Sequence, residues 1–280
     1  QRDALVSGAG RSGASRLGLE ADSVTWSAQR RWQGVLGGVE TVPTSGVVEA
    51  LRLVKDDAEL DRMAYAAALA DAALGEIRPL ITAGRSEAEV ALALDTAMRR
   101  LGAEDRAFET IVASGPNAAK PHARPSGRRL EDGDAVVVDF GALYDGYRSD
   151  MTRTFFVGGA AAGTMARVLE VVSGAQRRGV EAVRAGVATG EVDRVCRQAI
   201  AEAGFGDAFE HGTGHGVGLD VHEAPAVGPG TTAILDAGVV VTVEPGVYLA
   251  GVGGVRVEDT VVVTEDGCRV LTCYPKEPAA

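Results

Sequence analysis

Two stretches of the chain, 102 residues apart, read as copies of each other. "GRSEAEVALALDTAMRRLG" starts at Gly84 and "GVATGEVDRVCRQAIAEAG" at Gly186. They align without gaps and share Gly84/Gly186, Glu89/Glu191, Val90/Val192, Ala97/Ala199 and Gly102/Gly204. "AFE" follows at 107 and again at 208, and "RSDMT" (148–152) is answered by "RVEDT" (256–260), the offset drifting slowly to 108. Chance similarity between alanine-rich helices is the competing explanation. It does not cover the hairpin matches, which are not alanine-rich. An internal duplication confines the chain to folds of the α+β kind built from two helix–strand–hairpin halves.

Local signals place the elements. Residues 55–80 are Ala/Leu-rich with acidic first turns, which predicts an amphipathic helix. Ser86 with Glu89 makes a capping box for a second helix that ends at Gly102. "AFETIVASG" reads as a strand, and "DAVVVDFGALYDGYRSDMTRTFFVG" as two strands joined by the "YDG" turn. Another helix is expected over 163–185. Residues 1–50 are rich in Gly, Ser and Arg, and "VPTSGVVEALRLVK" looks like a linker into a helix. "GAGRSG" (Gly8, Gly10, Gly13) fits a dinucleotide-binding pattern but lacks a preceding strand and a closing acid, so it carries no weight.

The 280 residues carry a net charge of −11. That excludes the basic face that nonspecific nucleic-acid or anionic-membrane binding rewards. The longest apolar runs are far too short to span a bilayer, and no signal segment opens the chain. Cys196, Cys268 and Cys273 are too few and scattered for a disulfide framework. They read as reduced thiols, and the expected location is cytoplasmic.

The duplication places a carboxylate at the same point of each half. Asp150 sits in "RSDMT" and Glu258 in "RVEDT"; one strand earlier, Asp139 follows "AVVV" and Glu244 follows "VVVTV". All four lie in or at the ends of mostly apolar strands, where an uncompensated carboxylate is costly and four together repel one another. A pair of divalent metals is the least costly compensation. For any one carboxylate, capping a turn or pairing with Arg148 or Arg256 explains it equally well; for all four together it does not.

Three of the chain's four histidines fall in "HGTGHGVGLDVHEAP": His211, His215 and His222. Carboxylates with one imidazole suit Mn, Fe, Co or Zn, with hard oxygen ligands leaning toward Mn. Such a site needs histidines for two jobs, one as ligand and others to hydrogen-bond a substrate carbonyl or tetrahedral intermediate. The glycines between them let the backbone pack close to ions and substrate. The stretch is not the HExxH zinc helix, since no histidine stands four residues after His222.

These motifs, with "PHARPSGRRL", "VEPGVYL" and "GVRVEDTVVVTEDG", make the chain similar over about residues 50–275 to the metal-dependent pita-bread peptidases, family M24. That family includes Xaa-Pro aminopeptidases, prolidases (Xaa-Pro dipeptidases) and methionine aminopeptidases. The resemblance implies a pita-bread fold with pseudo-twofold halves over 51–280. It also implies that residues 1–50 are the remnant of a creatinase-like N-terminal domain plus linker, whose first portion is absent.

Residue by residue, the family pattern puts Asp139, Asp150, His215, Glu244 and Glu258 on the five metal ligands. His122 in "PHARPS" falls on a substrate-contacting histidine, and His222 on the one that steadies the scissile carbonyl. Glu244 doubles as proton shuttle. His211 falls on the proline side of the pocket, with Tyr248 and Arg256 near the site. The upstream His-Gly and the Arg two before the last Glu point to the Xaa-Pro branch rather than to methionine aminopeptidases. Creatinases share the fold but lack the ligands, and all five are present here.

The implied reaction is hydrolysis of the bond between an N-terminal residue and proline, by hydroxide activated on two divalent metal ions. Manganese comes first, with Co, Fe or Zn as alternatives. The implied partners are a small peptide with proline in second position and a second copy of the chain, a homodimer. A catalytically silent binding scaffold, or a hydrolase of another small amide or ester on the same metal pair, stays open as an alternative.

Overall fold

A computed structural model describes residues 7, 8 and 11–276 and divides the chain into two compact units between Arg52 and Leu53. In the first unit, β1 (Arg16–Glu20) and β2 (Glu40–Thr44) pair in parallel, from Arg16↔Glu40 to Glu20↔Thr44. Parallel neighbours need a crossover, here α1 (Trp26–Val35), whose N-terminus is capped by the Thr25 hydroxyl accepting from the Ala28 amide. The short helix α2 (Val47–Arg52) follows. Neither strand was expected: "RLGLE" carries a glycine and "ETVPT" a proline, both of which weaken a strand pattern. Of the glycine pattern at 8, 10 and 13, Gly10 lies outside the described residues.

The second unit opens with α3 (Asp57–Ile77), started by a reciprocal capping box between Asp56 and Glu59. The expected Ser86–Glu89 box starts α4 (Glu87–Leu101), and Gly102 ends it at φ 119°, a left-handed position that glycine takes without a Cβ clash. The apolar faces of the two helices, with Leu69, Leu74 and Ile77 from α3 and Val90, Leu94 and Met98 from α4, are buried in one core. Each such side chain contributes about 1.5–3 kcal/mol by leaving water.

Beneath them run β3 (Asp105–Arg106), β4 (Ile111–Ser114), β5 (Ala135–Phe140), β6 (Ala142–Tyr144), β7 (Tyr147–Arg148) and β8 (Met151–Phe156). β4, β5 and β8 form an antiparallel sheet in that order, and its Val136, Val138, Phe140, Met151 and Phe155 complete the helical core. The single hairpin expected over this stretch is divided in two. Asp145 (φ 45°) and Gly146 (φ 80°) form the turn, but it closes only β6 and β7, which pair with β3 in a separate sheet. The division falls at Gly141 and Ser149, where a Cβ on Gly141 would lie 1.8 Å from the Ser149 carbonyl oxygen. The expected strand at 107–115 shortens to 111–114. Ala107 is tied to the Gly141 carbonyl, and the Thr110 hydroxyl turns to Asp95 in α4.

The second half repeats the plan. α5 (Gly163–Ala182) and α6 (Thr189–Glu202) cover a sheet of β9 (Gly214–Gly216), β10 (Glu223–Val227), β11 (Val240–Val243), β14 (Asp259–Val263) and β15 (Cys268–Val270), while β12 (Gly246–Leu249) and β13 (Gly253–Arg256) make a hairpin. The order β9-β11-β14 matches β4-β5-β8, so the duplication read from the sequence holds in three dimensions. Val168, Val192, Ile200, Val241 and Val261 fill its core.

The halves are sewn together at β8 and β14. The Glu258 amide donates to the Thr152 carbonyl at 3.2 Å, and the Thr260 hydroxyl donates to the Asp150 carbonyl at 2.8 Å. The three thiols are unpaired. Among the described residues no helix is long and apolar enough to cross a membrane.

Candidate active site

The seam between the halves gathers the strand carboxylates. Asp139 lies in β5, Asp150 just before β8, His215 in β9, Glu244 just after β11, and Glu258 just before β14. Ligand atoms of Asp150, His215 and Glu258 all lie within 4.8 Å of one another. His215 Nε2 is 3.6 Å from Asp150 Oδ2 and 3.2 Å from Glu244 Oε1. Its Nδ1 is 3.0 Å from the Gly216 carbonyl oxygen. That oxygen can only accept, so Nδ1 carries the proton and Nε2 is the nitrogen turned to the carboxylates. Asp139 joins the group through Arg256, which donates to Asp139 Oδ2 and lies 3.9 Å from Glu244. The pairing with Arg256 anticipated for a lone carboxylate is therefore made at Asp139. Arg148 instead donates to the carbonyls of Ala107 and Leu219.

The electrostatics of this group call for cations. Asp139 Oδ1 and Glu258 Oε1 are buried without a hydrogen-bond partner, a cost that proteins rarely leave standing. Burial and the charge of Glu258 push Asp150 well above the usual carboxylate range; burial and the charge of Glu244 do the same to Glu258. Burial also pushes Asp139 up. At Glu244 burial acts in the same sense, but the hydrogen bond and charge of His215 in its protonated form, with Nε2–H turned to the acid, outweigh it and hold the acid down to about 2. Four carboxylates with two orphaned oxygens, plus one imidazole nitrogen, are a donor set suited to divalent metal ions, and the residues fit such a group.

These side chains form the floor of a cleft of about 280 Å³, at the small end for ligand sites. His122, His211, His222 and Arg256 line it with the carboxylates and His215, and Phe108, Ile111, Pro121 and Val221 supply its apolar wall. His222 is exposed, its ring edge-on to that of His215 at 4.3 Å between centroids. Tyr248 does not line the cleft; it is buried behind it.

Its hydroxyl accepts from Arg256 Nη1 at 2.8 Å and meets His211 Nε2 at 2.8 Å. His211 Nδ1 faces the Gly212 carbonyl at 2.7 Å and so carries that ring's proton, leaving Nε2 to accept from Tyr248. Burial pushes His211 down and pushes Tyr248 up to about 12. The result is a directed chain from Arg256 through Tyr248 to a neutral His211.

Several contributors were not singled out from the sequence. The Thr152 hydroxyl donates to Glu258 Oε2 at 2.6 Å and accepts from Arg256 Nε at 3.1 Å. Its signal was present, since Thr152 and Thr260 end the two matching motifs. Behind Glu258, the buried Arg153 pairs with Asp259 at 3.0 Å and donates to the carbonyls of Thr152, Glu258 and Tyr274. Glu87 and the pair Lys55–Glu223 have no local signal, because their partners are distant in sequence.

Residues 61–265 match metallopeptidase family M24, and residues 3–54 match the creatinase/prolidase N-terminal domain. The chain belongs to metallopeptidase family M24 and has its α+β pita-bread fold, as the motifs led us to expect. It is 43% identical over 261 residues to the Xaa-Pro dipeptidase of Pyrococcus furiosus, covering 93% of this chain and 74% of that protein. The solved Xaa-Pro dipeptidase from Bacillus anthracis superposes with a TM-score of 0.95 at 43% identity, covering 99% of this chain and 77% of the other. The X-Pro aminopeptidase from Thermotoga maritima superposes at 0.94 with 38% identity, covering 99% and 78%.

Proposed function

We propose that this M24 metallopeptidase cleaves the bond between an N-terminal residue and a following proline, as an Xaa-Pro dipeptidase or Xaa-Pro aminopeptidase. The observation that carries this reading is the convergence, in one small cleft, of five metal-type donors with three histidines that stand off them. Relatives named for both activities support it.

Asp139, Asp150, His215, Glu244 and Glu258 would hold two divalent cations, manganese in the first instance. Bound there, such ions polarise a carbonyl and make water acidic enough to act as a nucleophile near neutral pH. The rest is the work of side chains. Glu244 takes a proton on its carboxylate and passes it to the departing proline nitrogen. His222, at the mouth, donates a ring N–H to the scissile carbonyl oxygen as charge develops there. Neutral His211, oriented by Tyr248, borders the proline ring with the apolar wall, and His122 touches the substrate from the opposite loop. Arg256 holds Asp139 and Tyr248 in place.

The same reading assigns residues 1–50 to a creatinase-like N-terminal domain with linker and 51–280 to the peptidase. It also gives the chain a homodimeric state and, from its unpaired thiols, a cytoplasmic location.

The test is an assay of Ala-Pro, Ala-Pro-Ala and Ala-Ala-Ala after chelation and after Mn²⁺ is added back. Metal-dependent cleavage of Ala-Pro alone makes the protein a dipeptidase, and cleavage of Ala-Pro-Ala an aminopeptidase. Equal cleavage of Ala-Ala-Ala, or none of any substrate with metal bound, overturns the reading.

A further inference from the structure

Glu87 opens α4, and its side chain is fully buried. Five donor groups converge on its carboxylate. Oε1 accepts from the Ser114 amide and hydroxyl, both at 2.7 Å; Oε2 accepts from the Ser126 hydroxyl at 2.6 Å and amide at 3.0 Å; Asn117 Nδ2 reaches both oxygens at 3.1 and 3.2 Å. All five are neutral groups. The helix backbone adds two more ties, the Glu87 amide to the Arg128 carbonyl and the Ala88 amide to that of Ser126, each at 3.0 Å.

Ser114 and Ser126 are the two ends of one loop. Between them the chain makes a 3-10 turn over Gly115–Ala119 and then delivers Pro121 and His122 to the wall of the cleft. His122 is exposed, and the Pro121 carbonyl accepts from Arg256 Nη1 at 3.3 Å. A single carboxylate thus staples both feet of the segment whose tip faces the reacting site. An array of donors this complete tolerates only an acceptor: an amide would turn N–H groups against N–H groups, and aspartate is one methylene too short to reach both feet.

We propose that Glu87 is a positioning residue for His122, fixing where the histidine meets the substrate. The proposal rests on the Xaa-Pro peptidase reading for its catalytic consequence, but not for its structural one.

The test uses the whole chain with Glu87→Gln, His122→Ala and the double variant, together with Ser126→Ala as a milder cut of the same staple should Glu87→Gln fail to fold. Hydrogen exchange should quicken across 114–126 and stay unchanged in α3 and the second half, with manganese content kept. The kcat/KM for Ala-Pro should fall about 10²-fold in Glu87→Gln, the scale of a small misplacement, and the same change should cost nothing more in the His122→Ala background. Exchange that quickens everywhere or nowhere, or losses that simply multiply, would overturn the proposal. If the wild-type chain cleaves no Xaa-Pro substrate, the peptidase reading has failed, and the exchange pattern alone still decides whether Glu87 places the loop.

Discussion

The Lys55 ammonium and the Glu223 carboxylate, 168 residues apart, meet at 3.2 Å with both side chains almost sealed from solvent. Glu223 Oε1 also accepts from the Asp220 amide at 3.0 Å, so the pair anchors the turn that carries His222. Lys55→Met leaves a buried carboxylate facing an apolar group, and the expected loss is about 3–5 kcal/mol in urea unfolding. Lys55→Met with Glu223→Leu removes both charges and should recover most of that loss. A double variant as unstable as the single one would show that the ion pair is not what holds the turn.

Metal and stability should be coupled through Asp150. Without a cation, its burial beside Glu258 disfavours the charged form. Asp150→Asn removes the cost of burying that acid beside Glu258, so the chelated variant should melt at a higher temperature than the chelated wild type. Mn²⁺ should then raise the wild-type melting temperature and barely move that of the variant. Equal stabilisation of both by Mn²⁺, followed by calorimetry, would remove Asp150 from the ligand set.

Turnover and metal retention should separate at Glu244 and His222. Glu244→Ala is expected to abolish cleavage and loosen metal, since on the proposed assignment it deletes a ligand and the proton carrier together. His222→Ala should slow cleavage by about 10²-fold or more with metal kept, the cost of one lost oxyanion donor. Elemental analysis beside steady-state kinetics distinguishes the two. Near-normal activity and metal content in Glu244→Ala would refute the assignment.

Acid should act on Glu87. Burial favours its neutral form, but the hydrogen bonds from Ser126, Ser114 and Asn117 outweigh it and hold its carboxyl below the ordinary range. The unfolded chain therefore binds its proton more readily than the folded one. The stabilisation is complete above the unfolded value of about 4.3 and drains away as pH falls through the lower folded value. Arg128, which donates to the Ser114 hydroxyl at 2.7 Å, is a cation whose charge interacts with the group. As pH falls below about 4.3, the stability gap between wild type and Glu87→Gln should narrow. A gap independent of pH there would show that the charge of Glu87 is not what the loop uses.

How much of this could be read beforehand depends on the range of each interaction. The Ser86–Glu89 capping box and Gly102 are local, and they mark α4 to the residue. The carboxylates were legible because apolar strands make an acid conspicuous and the repeat supplies a second copy to compare. The split of the expected hairpin was not, because the close approach of Gly141 to Ser149 is settled by how β6 and β7 find β3. Glu87 looked like an ordinary acid in a helical first turn, and Lys55 like any surface lysine. Only tertiary structure brings donors from 27 to 39 residues away to the one and a carboxylate from 168 residues away to the other.

Asp139 and Asp150 come from the first half, and His215, Glu244 and Glu258 from the second. A ribosome adding about 5–20 residues per second therefore releases two of the five donors several seconds before the third. Neither half alone holds a complete set, and the seam that joins them is also the site. On the proposed assignment a growing chain cannot assemble its site until its second half has folded onto its first, so the duplicated architecture sets the moment at which activity can begin.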